Sequence, residues 1–305
     1  MKAYTHFTTA ILLFLFSQTS FGQSTGPSGK LNEVVFHTED IENFWTAFDK
    51  TYPILDAAVF QARYIDIGSK GLKGFIRGRI ENGDHLAKTV KDNLSYYQAI
   101  RASSLSIANK KDRFYECFKN LLEIYPAAVF PDVYFVIGAK NSGGTTFNKG
   151  LIIGAEMFGK DTNGIKPALD IDLVDELVSH ELIHFQQRNA RDNSLLAQCI
   201  MEGSADFIGE LIAGAHSNSE MFAYGDAHSK ELWEEFQKDM NGTDWKTWLY
   251  TSKDKSRPKD LGYWMGYKIT RSYYNNTQNK SEAINNILHV RDYRKFLADS
   301  KYNGE

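Results

Sequence analysis

Cysteine is almost missing from this 305-residue chain: Cys117 and Cys199 are the only two. A disulfide framework is therefore excluded as the basis of the fold, and the alternatives are one bridge or two buried thiols. Long apolar runs are missing as well. Ala10 to Phe16 (AILLFLF) is far short of the about 20 residues a membrane-spanning helix needs, and no later stretch reaches that length. Nor is there an excess of one charge. The chain carries 35 basic and 38 acidic residues, a formal net charge of −3, so neither nucleic acid nor an anionic membrane surface is an expected partner. No internal repeat or low-complexity tract interrupts it.

The first segment does carry a pattern. Lys2, the apolar run and then the small-x-small triplet Ser20-Phe21-Gly22 have the layout of a secretory signal peptide over residues 1–22, with Gln23 as the mature start. No cysteine lies near that point, so lipid attachment has no signal there. The expectation is an exported protein, periplasmic or secreted, with a polar linker over 23–30 and a single domain over 31–305. That domain divides into an N-terminal helical part, 31–126, and a catalytic part, 127–305.

Periodicity predicts an α+β, mostly helical fold: a small β-sheet or hairpin, then a motif-bearing helix, then a helical C-terminal portion. Thr38 to Lys50 reads as a capped helix with Phe44, Trp45 and Phe48 at helical spacing. Residues 84–125 read as two helices breaking near Ser103 or Ser104, the second with a stripe of Tyr115, Phe118, Leu121, Leu122 and Tyr125. Val133 to Gly138 and Gly150 to Glu156 are rich in branched and aromatic residues and flank the turn-prone Asn141 to Gly144, which predicts a two-stranded hairpin with a long loop. Helices follow over 172–187, 194–213 and near 226–240, 260–275 and 281–298.

The chemistry concentrates in His180-Glu181-Leu182-Ile183-His184, an HExxH string followed by Glu202 and Asp206. Residues four apart on a helix lie about 40° apart around its axis, so both imidazoles can face one cation. A hydrolytic zinc site takes three protein ligands and keeps one position for water. His180, His184 and Glu202 supply the ligands, with one Zn2+ per chain. Glu181 is placed to take a proton from the water. Asp206, one turn beyond Glu202, is placed to orient a ligand histidine. Tyr263 and Tyr267 are candidate donors to an oxyanion. His216, His228 and Cys199 are lesser candidates, more readily read as surface or packing residues. Lys253 to Lys259 reads as a solvated loop.

The pattern His180-Glu181-x-x-His184 with Glu202-x-x-x-Asp206 resembles the gluzincin class of zinc metallopeptidases. Glu202-Gly203-Ser204-Ala205-Asp206 and Leu261-Gly262-Tyr263-Trp264-Met265-Gly266-Tyr267 more specifically resemble an uncharacterised bacterial family of predicted zinc-dependent proteases, over about residues 110–300. That resemblance implies a zincin-like fold and a peptidase in which Glu181 is the general base. It also implies a peptide substrate paired along the strand 151–156. The alternatives are a non-catalytic, metal-containing envelope binding protein and a zinc hydrolase acting on a non-peptide carbonyl.

Overall fold

The computed structural model describes residues 29–148, 150–214, 219–250 and 256–305. The signal peptide, most of the linker, His216 and part of the 253–259 loop lie outside the described residues. The architecture is α+β and mostly helical. A four-stranded mixed sheet, β1 (Phe36–His37), β2 (Asp132–Val136), β3 (Gly144–Phe147) and β4 (Gly150–Gly154), is ordered β1-β2-β4-β3. β1 and β4 run parallel to β2, and β3 runs antiparallel to β4.

This corrects the expected hairpin. Its two predicted strands, β2 and β4, are parallel neighbours, and the tight hairpin is β3–β4. The short run Thr145-Thr146-Phe147 is only half-buried and carries too few apolar residues to announce a strand. The order also overturns the expected peptide-pairing edge: β4 is bonded on both sides, to β2 and to β3. Both sheet faces are covered, which explains why β2 and β4 read as unbroken apolar runs.

The N-terminal half supplies α1 (Glu39–Thr51), α2 (Ala57–Phe60), α3 (Lys70–Phe75), α4 (Gly83–Asp92), α5 (Leu94–Ser106) and α6 (Lys111–Ile124). The expected pair over 84–125 is thus three helices, broken at Asn93 and again by a 3-10 turn at Ile107–Lys110. The apolar stripe of α6 is also rotated from expectation. Phe114, Cys117, Phe118 and Leu121 are buried, whereas Tyr115 and Leu122 are exposed.

Helix α3 covers one sheet face so closely that a Cβ on Gly71 would overlap Tyr134. On the opposite face Phe114 of α6 stacks on Phe135 at 5.1 Å. That second face also receives α7 (Val174–Gln186), the motif helix, which packs on β3 and β4. Asp175 and Glu176 in the first turn of α7 complement the helix dipole. Nearly every α7 side chain is buried, apolar and ionisable alike.

After α7 the chain runs extended beside the 288–290 segment, with Arg188 N–H donating to Leu288 O and Ala190 N–H to Val290 O. It returns as α8 (Leu195–Ala213), capped by Ser194 Oγ on Ala197 N–H and ended at Gly214 in the left-handed region. The remaining helices are α9 (Ser219–Ala227), α10 (Ser229–Asp239), α11 (Leu261–Asn276), α12 (Lys280–Leu288) and α13 (Tyr293–Ser300). Two of the helical stretches expected from periodicity, near 226–240 and 281–298, each fall across a pair of helices, whereas the one near 260–275 is the single helix α11. Cys117 and Cys199 are both buried and free. No helix among the described residues is long and apolar enough to cross a membrane.

Candidate metal centre

Two adjacent helices converge on one point. From α7, His180 Nε2 and His184 Nε2 lie 2.9 Å apart. From α8, Glu202 Oε2 lies 3.2 Å from His184 Nε2 and 3.5 Å from His180 Nε2. Ligand atoms around a tetrahedral zinc with bonds of about 2.0–2.1 Å stand about 3.3 Å apart, so the triangle has the size a bound cation requires. Among the described residues these three form the metal-competent cluster. Both imidazoles are nearly buried and Glu202 is fully buried.

The hydrogen-bond network decides which ring nitrogens carry protons. Gln187 donates its Nε2 to Met201 O and Ser204 Oγ, at 2.8 and 3.0 Å, which fixes its Oε1 as an acceptor. That oxygen lies 2.9 Å from His184 Nδ1, so Nδ1 holds the proton there. His180 Nδ1 lies 2.7 Å from Asp206 Oδ1 and donates likewise. With both protons on Nδ1, the two Nε2 lone pairs and the Glu202 carboxylate face one another. Three acceptors in van der Waals contact repel unless a proton or a cation stands among them. The ionisation tendencies have the same origin. Burial opposes a charged His180, but Asp206 and Glu202 overcome it and raise its pKa well above the usual imidazole value. Glu202 is held below the ordinary carboxylate range by the two histidines, against its burial.

A further contact comes from outside the two helices. Tyr250 donates its hydroxyl to Glu202 Oε1 at 3.1 Å, leaving Oε2 toward the histidines. Neither Gln187 nor Tyr250 was expected at the site. Gln187 follows the HExxH string by three positions, a reachable distance that the motif itself does not mark. Tyr250 lies in a loop with no periodic signal.

The other candidates separate. The Tyr263 ring lies beside His180, centroids 6.2 Å apart. Tyr267 is turned to Glu210, its hydroxyl donating at 2.5 Å. His228 stacks on Tyr224 and bonds its carbonyl, within its own helical neighbourhood. Glu181 is fully buried, and neither carboxylate oxygen has a hydrogen-bond partner. Burial raises its pKa. Its carboxylate lies against β3, where a Cβ on Gly144 would come within 2.6 Å of Glu181 Oε1.

Fold and cluster together define a helical α+β protein with a two-histidine, one-carboxylate cluster between consecutive helices. The chain belongs to the family described as gliding motility protein GldB, whose profile matches residues 30–304. No curated protein and no solved structure matches it. The family match overturns the expected identification as a gluzincin-type zinc metallopeptidase, and with it the hydrolase activity, since the family is described by motility and not by hydrolysis. The physical reason is that HExxH with a later glutamate encodes how two helices hold a cation. That requirement is the same whether the cation activates water or anchors a binding surface.

Proposed function

We propose that this chain is an exported, metal-holding protein of the cell envelope that contributes to gliding motility by binding and not by hydrolysis. One Zn2+ per chain would be held by His180, His184 and Glu202, with Asp206 and Gln187 fixing the imidazoles and Tyr250 orienting the carboxylate. The carrying observation is the convergence of two Nε2 lone pairs and Glu202 Oε2 within 3.5 Å. Two neutral imidazoles and one carboxylate suit zinc, and when bound it would supply a net positive, Lewis-acidic point between α7 and α8. The family match supports the motility context.

Elemental analysis of the purified mature chain should find about one zinc per chain. His184→Ala should lose that zinc, and cells carrying it in place of the wild-type chain should glide poorly. A chain that contains no metal and takes up none on titration would sink the metal reading. Glu181→Gln keeps an acceptor at the same place but removes the carboxylate. Normal gliding in that variant, with zinc retained, is expected for a binding protein. Gliding lost while zinc, folding and partner binding all persist would count against the binding role.

A further inference from the structure

Asp260 caps the start of α11 and is joined to the metal-competent cluster by one intermediary, Tyr250. Its backbone carbonyl accepts from Tyr263 N–H at 2.9 Å and so opens the helix. Its side chain is used elsewhere: Oδ1 accepts from Tyr250 N–H at 2.5 Å. Tyr250 passes the link on, donating its hydroxyl to Glu202 Oε1 at 3.1 Å. Asp260 thus ties the first turn of α11 to the carboxylate of the cluster.

Both linked residues occupy the left-handed backbone region, each with a φ of 65°. Aspartate tolerates that region, whereas a tyrosine there is held against its preference, and such backbone persists where the surroundings over-determine it. They do so here. Trp248 and Leu249, just before Tyr250, are buried, and Trp248 O accepts from Gly262 N–H at 2.8 Å. The Tyr250 ring meets Tyr263 edge-on, centroids 6.5 Å apart. Burial pushes the Asp260 carboxyl up to about 6, against the lowering pull of the Tyr250 N–H.

The consequence falls on Glu202. Its Oε2 faces the two histidines, while its Oε1 is engaged by Tyr250. A hydroxyl donated to Oε1 pins that oxygen and draws on its lone pairs, so the carboxylate offers a cation one oxygen and not two. Four-coordinate zinc requires no more. Manganese and calcium take more oxygen ligands and gain from a carboxylate that binds through both.

We propose that Tyr250, positioned by Asp260, confines Glu202 to one metal-facing oxygen and thereby sets a preference for Zn2+ over larger, oxygen-seeking divalent cations such as Mn2+. Tyr250 determines the specificity, and Asp260 is a positioning residue that acts through it. This rests on the metal reading above and adds to it which residues choose the cation.

Competition between Zn2+ and Mn2+ for the metal-stripped mature chain tests it, with both dissociation constants read by calorimetry at mildly alkaline pH, where Asp260 is ionised. Tyr250→Phe removes the hydroxyl alone and should lower the zinc-over-manganese ratio about tenfold or more, the range for losing a partner of a metal ligand. Asp260→Gly suits the left-handed backbone but removes the acceptor, and should lower the ratio in the same direction. Asp260→Asn retains an Oδ1 acceptor and should restore the wild-type ratio. Combining Tyr250→Phe with Asp260→Gly should give no further loss, because the second residue acts through the first.

A general weakening of the fold lowers both affinities together, so their ratio is the deciding readout. An unchanged ratio in Tyr250→Phe, or losses that add in the double variant, overturns the inference. A wild-type chain that binds neither cation removes the metal centre and the selectivity with it. Zinc bound by the wild type with a ratio indifferent to Tyr250 keeps the metal centre and removes the selectivity alone.

Discussion

Glu156 is the residue whose surroundings make the sharpest demand on solution behaviour. It follows β4, is fully buried, and leaves Oε2 without a partner, while Oε1 accepts a 3.3 Å bond from Lys140 N–H. Burial pushes its pKa to about 7 from the ordinary 4.5, against the lowering effects of backbone N–H groups and of Lys140. Between those two values the folded chain holds a proton that the unfolded chain has released. Stability therefore falls as pH rises from about 4.5 to about 7, and the loss is complete above that window. The size is roughly 3 kcal/mol, from 1.4 kcal/mol per pH unit. Glu176, raised to about 7 mainly by burial, adds a slope of the same sign. Glu156→Gln should be more stable than wild type at pH 8 and closely matched to it at pH 4.5, as read by urea unfolding. An equal difference at both pH values would refute this assignment. At this scale the sequence marks His180, His184, Glu202 and Asp206, because helical spacing alone brings them to adjacent faces. Gln187 and Tyr250 are not legible in it: Gln187 lies within reach of His184 but the motif does not mark it, and Tyr250 reaches Glu202 from a loop 48 positions away.

At the scale of elements, the tightest packing at any glycine among the described residues joins α8 and α11. A Cβ on Gly266 would lie 1.6 Å from Cys199 O, and one on Gly203 would lie 2.0 Å from Tyr267 N. Backbone meets backbone there, with no flexible side chain able to yield. The glycines of the 261–267 segment thus serve helix packing, which is a physical account of a motif first read as a catalytic region. Gly266→Ala should destabilise the chain by about 3 kcal/mol or more, measured by the denaturation midpoint. Because Glu202 adjoins Gly203, prying α8 from α11 should also weaken zinc retention. A variant of unchanged stability would show that the helices separate freely. Helix positions were largely legible from periodicity, but β3 was not: four residues with two threonines carry no strand signal, and their pairing is set by β4.

For the whole molecule, the metal-competent cluster spans α7, which packs on the sheet, and α8, which packs on α11. A cation bound only by the folded chain stabilises it by RT ln(1 + [L]/Kd), about 2.7 kcal/mol at a hundredfold excess over Kd. Chelation should lower the Tm by roughly 5–10 °C for a chain of this size, and added zinc should restore it. A Tm indifferent to both would mean that the cluster holds no cation. The proposed motility role lies at this scale too, and site residues cannot disclose it, because their geometry speaks to how a cation would be held and not to which assembly uses the surface around it.

The sheet order has a consequence for orientation. The chain enters the described fold at Gly29, whose carbonyl accepts from Phe130 N–H beside β1 and β2. β1 forms one border of the sheet, and β3, against which Glu181 lies, forms the other. Four strands at about 4.8 Å spacing separate these borders by roughly 14 Å. An attachment made through the N-terminal end would therefore present the α7–β3 side outward, away from the point of anchorage.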